Sequence, residues 1–418
     1  MNKLSILFLL FCYSHLHAQF HADHCGQQAV STFHESNNEA VINQRNEIEK
    51  FTAEWIENYQ SQAIQLREVV TIPVVVHVVW HHSEENISDL QIESQIEAST
   101  ADFRKLNANL NALPTEFFDL AVDIEIEFCL ATVDPFGNAT NGITRTETEF
   151  ENIASLFAPG DILRIFNNDL GGKDGWDPDK YLNIWVASTG GFPLGFACLP
   201  GTCPPEEDGI VVDPVVFGTT CNTSNAFNLG RTTTHEIGHY FNLMHLWGSE
   251  TDDCDEDDLV EDTPFQTAPH FGCPDYPSIS CGTSDMFVNY MDFSDDECLA
   301  MFTEGQKLRM LAALNGPRSQ LLTSNGCGLT NPRPRSINNN SISIFPNPVR
   351  SCLHIDVDIN NQTPILITLY NAVGQQIFSS INTPNDVRSV DVSSLVPGVY
   401  FVNFEVNNQS ATKRIVVE

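Results

Sequence analysis

Three histidines and one glutamate in a short stretch of the chain have the spacing of a metal site. The stretch THEIGHYFNLMH (234–245) places His235 and His239 four residues apart, with Glu236 between them. On a helix this spacing puts both imidazoles on one face, where they can bind zinc. Glu236 would lie beside the metal without binding it, as the general base toward an activated water molecule. His245 is the third candidate ligand.

His245 can reach the same metal only if the helix ends before it. Six further helical residues after His239 would carry His245 about 9 Å along the axis and about 120° off the face. The chain must therefore turn near Asn242, at a residue that tolerates positive φ. Glycine does so most easily and asparagine comes next, at a cost of about 1–2 kcal/mol. We predict positive φ at Asn242; the alternative is a longer helix whose histidines face solvent or the core.

Length and charge limit the classes of protein that this chain can be. It has 418 residues, of which 42% are hydrophobic, so two or three folding units with real cores are expected. Its 55 acidic residues against 20 Lys and Arg give a formal charge of −35. Such a surface repels phosphate backbones, which excludes nucleic acid as the expected partner.

The N-terminus has the pattern of an export signal. One lysine precedes the short apolar run LSILFLLFCY, and a small-residue cleavage site follows at 16–18. The run is too short for a membrane helix, and no other stretch reaches about 18 apolar residues. We therefore expect a removed signal peptide and no transmembrane segment. Outside the cytoplasm, the late cysteine cluster favours disulfides over a second metal site, because it contains no C-x-x-C pair.

Apolar periodicity predicts the elements around the histidine stretch. TIPVVVHVVWHH (71–82) has the β-branched composition of a buried strand. Ser88 and Gln91 form a capping box at the start of a helix. Further strands are expected at 121–133, 181–188 and 208–218, and helices at 303–322 and in the segment NEAVINQRNEIEKFTAEWIENY. After a Pro/Asn/Ser linker, short alternating strands from position 342 onward suggest a small β-sandwich.

Several linked motifs resemble one family. GRTTTHEIGHYFNLMHLWG, CDEDDLVEDTP and NYMDFSDDECLAMFTEGQKLRM are together similar to the pappalysin-like (cytophagalysin) metzincin zinc metallopeptidases, over about residues 70–325. The resemblance implies an α+β catalytic domain with a twisted mixed sheet, an active-site helix and one catalytic zinc. Met291 matches the Met-turn methionine, which forms an apolar floor under the ligands. Relatives often have tyrosine where this chain has Phe293, so transition-state stabilisation would rest on zinc and Glu236, or on Tyr290.

The same resemblance implies disulfides and a second ion. It pairs Cys254 with Cys281 and Cys273 with Cys298, and it leaves five cysteines unassigned, at 129, 198, 203, 221 and 327. It also implies a structural calcium ion, whose candidate ligands are Asp257, Asp258, Asp262 and Thr263. Their hard oxygen atoms suit calcium, and the alternative is a solvated acidic loop.

The chain start resembles the latency motif of such zymogens. In His24-Cys25-Gly26, His24 stands where the family has arginine, and the Cys25 thiolate could occupy the fourth zinc position. The alternative is an incidental cysteine. The propeptide is expected to end near Arg67.

The tail resembles a type A C-terminal sorting domain of the type IX secretion system. The residues that carry this likeness are FPNP (345–348), YN (370–371) with GQ (374–375), PGVY (397–400) and KRIVV (413–417). It implies a Gram-negative host and an interaction with the outer-membrane secretion machinery. The rival, a carbohydrate-binding sandwich, lacks a cluster of exposed Trp or Tyr.

These observations predict the following order of segments: signal peptide 1–18, propeptide 19–67, metallopeptidase domain 68–328, linker 329–340 and β-sandwich sorting domain 341–418. The expected protein is a secreted or cell-surface zinc endopeptidase, made as a zymogen, that hydrolyses proteins or peptides. The opposing hypothesis is an inactive adhesin or binding protein on the same scaffold. The intact set of His235, Glu236, His239 and His245 argues against it.

Overall fold

The computed structural model describes residues 24–36, 38–60, 69–156, 164–220, 224, 226–248, 254–328, 342–357, 365–382, 389–406 and 409–418. The expected signal peptide, the propeptide end near Arg67 and the linker at 329–340 lie outside these residues. Within them, no helix combines the length and the apolar character that crossing a membrane requires.

A six-stranded mixed sheet forms the centre of the larger unit, residues 69–328. Its strands are β1 (Val70–Trp80), β2 (Ile126–Leu130), β3 (Ile143–Glu147), β4 (Leu182–Val186), β5 (Gly195–Ala197) and β6 (Ile210–Val212). Their order is β2-β1-β4-β6-β5, and β3 also pairs with β1. All pairs are parallel except the edge strand β5 with β6. The apolar run of β1 is buried on both faces, as a mostly parallel sheet requires.

Six α-helices accompany the sheet within the described residues. They are α1 (Gln27–Glu35), α2 (Glu39–Gln60), α3 (Asp89–Phe103), α4 (Thr115–Phe118), α5 (Arg231–Tyr240) and α6 (Glu304–Asn315). Short 3-10 helices lie at Ser83–Glu85, Ala108–Ala112, Asn168–Leu170 and Ser319–Thr323. Ser88 caps α3 by accepting from the backbone N–H of Gln91 at 3.1 Å, and Thr303 forms a capping box with Gln306 on α6. The Ser88 cap is as predicted, but the Gln91 side chain donates to the Phe217 carbonyl at 2.8 Å, so the predicted capping box is only half formed.

Three predicted elements are clearly shorter than expected. The strand predicted at 208–218 forms only as β6, because the chain turns after Val212, where the Val216 N–H donates to the Asp213 carbonyl at 3.1 Å. The strand predicted at 121–133 forms only as β2, because Glu125 has a φ of +63° and breaks the extended backbone before it. The helix predicted at 303–322 ends at Asn315. Gly316 follows with dihedrals outside the helical region, and a separate 3-10 turn takes the last residues.

The tail folds into two antiparallel sheets with a core of their own. The strands are β7 (Ile342–Phe345), β8 (Cys352–Val357), β9 (Ile365–Asn371), β10 (Gln376–Asn382), β11 (Ser389–Asp391), β12 (Gly398–Val406) and β13 (Gln409–Val417). One sheet has the order β10-β9-β12-β13 and the other β11-β8-β7. Their shared apolar cluster contains only tail residues. The predicted fold class, an α+β domain followed by an all-β domain, is confirmed.

Disulfides fasten the larger unit at several points. The described pairs are Cys129–Cys327, Cys198–Cys203, Cys254–Cys281 and Cys273–Cys298. The last two are those that the family resemblance implies. Cys352 of β8 is also disulfide-bonded, and Cys221 lies outside the described residues.

Candidate metal centre

The three histidines of the motif meet at one buried point. His235 and His239 lie on α5, and their Nε2 atoms are 3.0 Å apart. The Nε2 atom of His245, beyond the helix, lies 3.2 Å from that of His235 and 3.0 Å from that of His239. Burial lowers the pKa of each imidazole, for His239 to about 4, so all three rings are neutral.

Backbone carbonyl groups fix the orientation of two of the imidazole rings through their Nδ1 atoms. Nδ1 of His235 lies 2.8 Å from the Tyr290 carbonyl oxygen, and Nδ1 of His239 lies 2.8 Å from the Leu243 carbonyl oxygen. In both rings Nδ1–H must donate to the carbonyl, which leaves the Nε2 lone pair for a cation. Three neutral nitrogens turned toward one another in the protein interior are the donor set of a zinc site. The residues therefore fit the metal that the motif implies.

The turn that brings His245 back is made by Asn242. This residue has a φ of +74°, as the sequence argument predicts. The Asn242 N–H donates to the His239 carbonyl at 2.8 Å, and the Leu243 N–H donates to the Gly238 carbonyl at 3.0 Å. These bonds close the helix with a left-handed residue, so the chain reverses within one turn.

Glu236 lies beside the three imidazoles and is fully buried. Its Oε1 atom has no hydrogen-bond partner among the described residues, and its Oε2 atom is 3.5 Å from the Cys25 sulfur. A Cβ atom on Gly195 of β5 would come within 3.1 Å of Glu236, so the edge strand approaches the carboxylate closely. Burial raises the pKa of Glu236 to about 8.

Met291 lies under the active-site helix. Its sulfur would be 2.5 Å from a Cβ atom on Gly238, so a larger residue at that position of H-E-I-G-H would have to displace the methionine side chain. The contact gives the helix the apolar support that the Met-turn resemblance implies.

A buried polar cluster holds the start of α5, and no local pattern in the sequence predicts it. Asp102 of α3 accepts from Arg231 and from the Thr234 hydroxyl, both at 2.7 Å. Tyr290 donates its hydroxyl to the same carboxylate at 2.9 Å. The alternative role of Tyr290 in transition-state stabilisation is therefore wrong, because its hydroxyl donates to Asp102 and its side chain is fully buried. Asp296 completes the cluster by accepting from the Arg231 N–H at 3.2 Å.

Phe293 forms an apolar wall at the centre. Its ring centroid lies 5.6 Å from that of His235 and 5.0 Å from that of His245. On its other side it faces His24, at 5.4 Å. His24 itself sits among aromatic rings that include Phe227 and Phe192.

Cys25 lies with the three histidines. Its sulfur and their ligand nitrogens are all within 4.8 Å of one another, and all four residues are buried. Backbone pairing holds it there: the Gly26 N–H donates to the Gly195 carbonyl, and the Leu194 N–H donates to the His24 carbonyl, both at 2.8 Å. Residues 24–26 thus run parallel to β5 across the candidate centre.

Only some of the residues proposed to bind calcium lie close to one another. Thr263 donates its hydroxyl to Asp258 at 2.7 Å, and the Asp258 Oδ2 atom is buried with no hydrogen-bond partner among the described residues. The Asp257 carboxylate accepts from the Leu259 N–H at 2.9 Å. Asp262 instead accepts from Thr303 and Gly305 at the start of α6. In the described part of the chain, these three carboxylates do not form one cluster.

Two stretches of the chain match known families. Residues 166–315 match the peptidase family described as pregnancy-associated plasma protein-A. Residues 343–418 match the secretion system C-terminal sorting domain. The first range contains the three histidines, and the second contains nearly all of the tail sheets.

Two solved structures of one bacterial protein are similar to this chain. Promirolysin of Tannerella forsythia, solved as a mutant, is 35% identical with a TM-score of 0.66; the match covers 74% of this chain and 99% of that chain. Mature mirolysin in complex with a cleaved peptide is 39% identical with a TM-score of 0.60, covering 64% and 100%.

Fungal extracellular metalloproteases are also similar. One from Arthroderma gypseum is 40% identical over 126 residues, which is 28% of this chain and 41% of that protein. One from Arthroderma benhamiae is 38% identical over 152 residues, covering 34% and 51%. The chain thus spans about half the length of these curated relatives.

Proposed function

The chain belongs to the pappalysin-like metallopeptidases, and from that premise we propose that it is a secreted zinc endopeptidase made as a latent precursor. The observation that carries the proposal is the convergence of three neutral imidazoles beside a buried, unpaired glutamate oxygen. This set matches what zinc-assisted hydrolysis of a peptide bond needs.

His235, His239 and His245 would hold the zinc ion. When bound, zinc polarises the scissile carbonyl group and makes an attacking water molecule more acidic. Glu236 takes the proton of that water and later gives it to the leaving amine. Phe293 has no polar group that could donate a hydrogen bond to the transition state. Stabilisation of the transition state would therefore rest on zinc and Glu236.

The substrate chain would lie along β5. This strand is at the edge of the sheet, and an extended peptide can add to such an edge through main-chain hydrogen bonds. In the precursor, residues 24–26 occupy the edge at Leu194 and Gly195. Proteins and peptides outside the cell are the proposed substrates.

Latency is proposed to depend on Cys25. Its position among the three histidines supports a thiolate ligand that keeps water from the metal. Cleavage near Arg67 would then be needed for activity.

A calcium ion remains part of the proposal. The buried Oδ2 atom of Asp258, which has no hydrogen-bond partner among the described residues, supports it. Asp257, Asp262 and Thr263 are the other proposed ligands. Thermal unfolding of the zinc-loaded protein should then shift upward when calcium is added, and an unchanged unfolding temperature would remove the ion from the proposal.

The tail is proposed to engage the outer-membrane type IX secretion machinery. Its match to the sorting domain supports this partner, and the protein is secreted or held at the cell surface.

Replacing Glu236 by alanine tests the catalytic proposal. We expect peptide hydrolysis to fall by about 10²–10⁴-fold, because the water loses its base. The zinc content and the fold should persist, since Glu236 is not a ligand. Metal analysis and a casein assay measure the two effects. Glu149→Ala, at an exposed position, is the matched control and should keep full activity.

A Glu236→Ala protein that retains more than about a tenth of the activity contradicts this mechanism, because a general base contributes more than that. A wild-type protein that binds zinc yet cleaves no protein or peptide after prosegment removal would instead favour a binding protein.

A further inference from the structure

The helix α2 of the prosegment docks on the turn that completes the three-histidine site. Arg45 donates to the Asn242 side-chain oxygen at 2.8 Å and to the Pro200 carbonyl at 2.9 Å. One helical turn later, Glu49 accepts from Asn242 Nδ2 at 3.0 Å and from Arg45 at 2.8 Å. Both polar ends of the Asn242 side chain are thus bound by the prosegment.

Arg309 of α6 joins the same contact from the other side. Its Nη2 atom donates to both carboxylate oxygens of Glu49, at 2.9 and 3.1 Å. Its Nε and Nη2 atoms donate to the Asn242 carbonyl at 3.2 and 3.1 Å. One guanidinium group therefore supports the main chain of the turn and binds the prosegment carboxylate.

These contacts are largely secluded from water, although the Glu49 side chain is 26% exposed. Asn242 is completely buried, and the side chains of Arg45 and Arg309 are 10% and 4% exposed. Buried charges of this kind have high energetic consequences when one partner is removed. Burial alone would raise the pKa of Glu49, but Arg309 and Arg45 outweigh it and hold that pKa below its usual value.

The helix also approaches the surrounding backbone without a gap. A Cβ atom on Gly201 would lie 2.6 Å from the Ile48 side chain, and one on Gly316 would lie 2.3 Å from Phe51. The surface around Asn242 is therefore shaped to the face of α2 that presents Arg45 and Glu49.

We propose that Asn242 and Arg309 form a recognition site for the prosegment, which selects a helix presenting an arginine and, one turn later, a glutamate. Asn242 has two roles in this site. Its left-handed backbone makes the turn, and its side-chain amide hydrogen-bonds to both Arg45 and Glu49. Glycine could make the turn, but it has no side chain that could bind Arg45 and Glu49. The inference rests on the proposed latent precursor and adds to it a second attachment, separate from Cys25.

Because of this recognition site, cleavage near Arg67 does not by itself release the prosegment. Arg45 and Glu49 both precede the cut, so cleavage breaks none of their contacts. The cut chain remains a complex until α2 leaves Asn242 and Arg309. Activation therefore has two steps, cleavage and release, and the second is set by this recognition site.

Variants of the prosegment test the site without changing the mature enzyme. Precursors that lack the signal peptide are prepared as wild type, Arg45→Met and Glu49→Gln. Lys50→Met and Glu54→Gln are the matched controls, because Lys50 and Glu54 form an exposed pair on the same helix, 3.8 Å apart. Hydrogen exchange over residues 39–60 is measured on the intact precursors. Retention of the prosegment on gel filtration is measured after cleavage at Arg67.

We expect Arg45→Met and Glu49→Gln to speed exchange of α2 by at least about tenfold. Glu49→Gln leaves the buried guanidinium groups of Arg45 and Arg309 without their carboxylate, and Arg45→Met leaves buried oxygens of Asn242 and Pro200 without their donor. After cleavage, these prosegments should elute separately, while wild type and controls retain theirs. Asn242→Gly should reproduce the faster exchange, and Arg45→Met should then add little to it. If the Arg45→Met precursor does not fold, the isosteric Glu49→Gln variant still decides the question.

Equal exchange rates in wild type, Arg45→Met and Glu49→Gln would overturn the proposal. Exchange does not depend on peptidase activity or on Cys25. A precursor that is active from the start would therefore refute latency while leaving this test intact.

Discussion

At the scale of single residues, Asn242 is the position where the conformation of one residue decides a metal site. Its φ of +74° lets His245 return to the two histidines of α5. Loss of this conformation would move His245 away, whatever the chemistry of its ring.

Two substitutions of Asn242 in the mature protein should therefore differ. Asn242→Gly should keep the zinc content, because glycine adopts positive φ without cost. Asn242→Val should weaken zinc binding by about tenfold, because a left-handed backbone costs an ordinary residue about 1–2 kcal/mol. Zinc affinity by competition with a chelator measures both. Asn152→Val, at a φ of +50° in another loop, is the control for strain alone. Equal zinc affinity in the glycine and valine variants would contradict the role of the turn.

His270 makes one surface segment dependent on pH. It faces Asp292, at 3.0 Å, and Asp285, at 3.3 Å, and it also contacts Ser278. Burial alone would lower the pKa of His270, but the two carboxylates outweigh it and raise that pKa above 6.5. The ion pairs thus contribute to stability fully below pH 6.5, and the contribution is lost as pH rises through the raised pKa.

The unfolding temperature of His270→Gln should accordingly fall furthest below wild type in mildly acidic solution. The difference should shrink as the pH rises, because wild-type His270 then loses its charge. Thermal unfolding from pH 5.5 to 8.5 measures it. A difference that stays constant over this range would show that the hydrogen bonds matter and the charge does not.

At the scale of elements, the prosegment and β5 form the contact that covers the candidate centre. Residues 24–26 pair with Leu194 and Gly195, and Cys25 lies among the histidines. In the proposed latent precursor, residues 24–26 belong to the same chain as the histidines, so the effective concentration of the Cys25 thiolate at the centre would be in the millimolar range or above. The thiolate would then keep water from the metal.

Cys25→Ser should therefore give a precursor that is already active or that processes itself faster, since a hydroxyl is a much poorer zinc ligand. Activity and prosegment cleavage of the purified precursor are followed against time. An identical lag in wild type and variant would mean that the prosegment blocks the cleft by its bulk, with Cys25 a bystander.

Elements with a strong local sequence pattern could be predicted. Elements that form only because a neighbouring strand pairs with them could not. β1 has a β-branched run, α3 begins at a Ser cap, and α5 carries the histidine motif, so each was predicted. β5 has only the residues Gly-Phe-Ala, and it becomes a strand because β6 pairs with it. The histidines and Glu236 are adjacent in sequence, whereas Asp102 reaches Arg231 only through the packing of α3 on α5. No local signal marks that partnership.

At the scale of the whole molecule, the two units have separate hydrophobic cores. The tail core contains no residue from the larger unit, and the contacts between the units include a hydrogen bond of 2.8 Å from Ser88 to His354. Ser88 still caps α3 through its contact with Gln91. The larger unit should therefore keep its fold when the tail is absent.

A chain truncated near Asn331 should fold and cleave peptides when it is made in a heterologous periplasm. It should also fail to cross the native outer membrane, because the sorting domain is missing. Circular dichroism, peptidase activity and the distribution between periplasm and medium measure these effects, with the full-length chain as control. A truncated chain that does not fold would make the sandwich an integral part of the catalytic unit.

The bond between Cys129 and Cys327 has a mechanical consequence. Cys327 lies at the end of the larger unit, just before the segment that leads to the tail, and Cys129 belongs to β2. Because the bond joins Cys327 to β2, residues 130–326, which include all three histidines, form a loop whose two ends are held together covalently. Cys129 is also paired with Pro73 of β1, so the closed end of this loop is anchored on the central sheet. The two ends of the segment that carries the site cannot be drawn apart while the bond is intact.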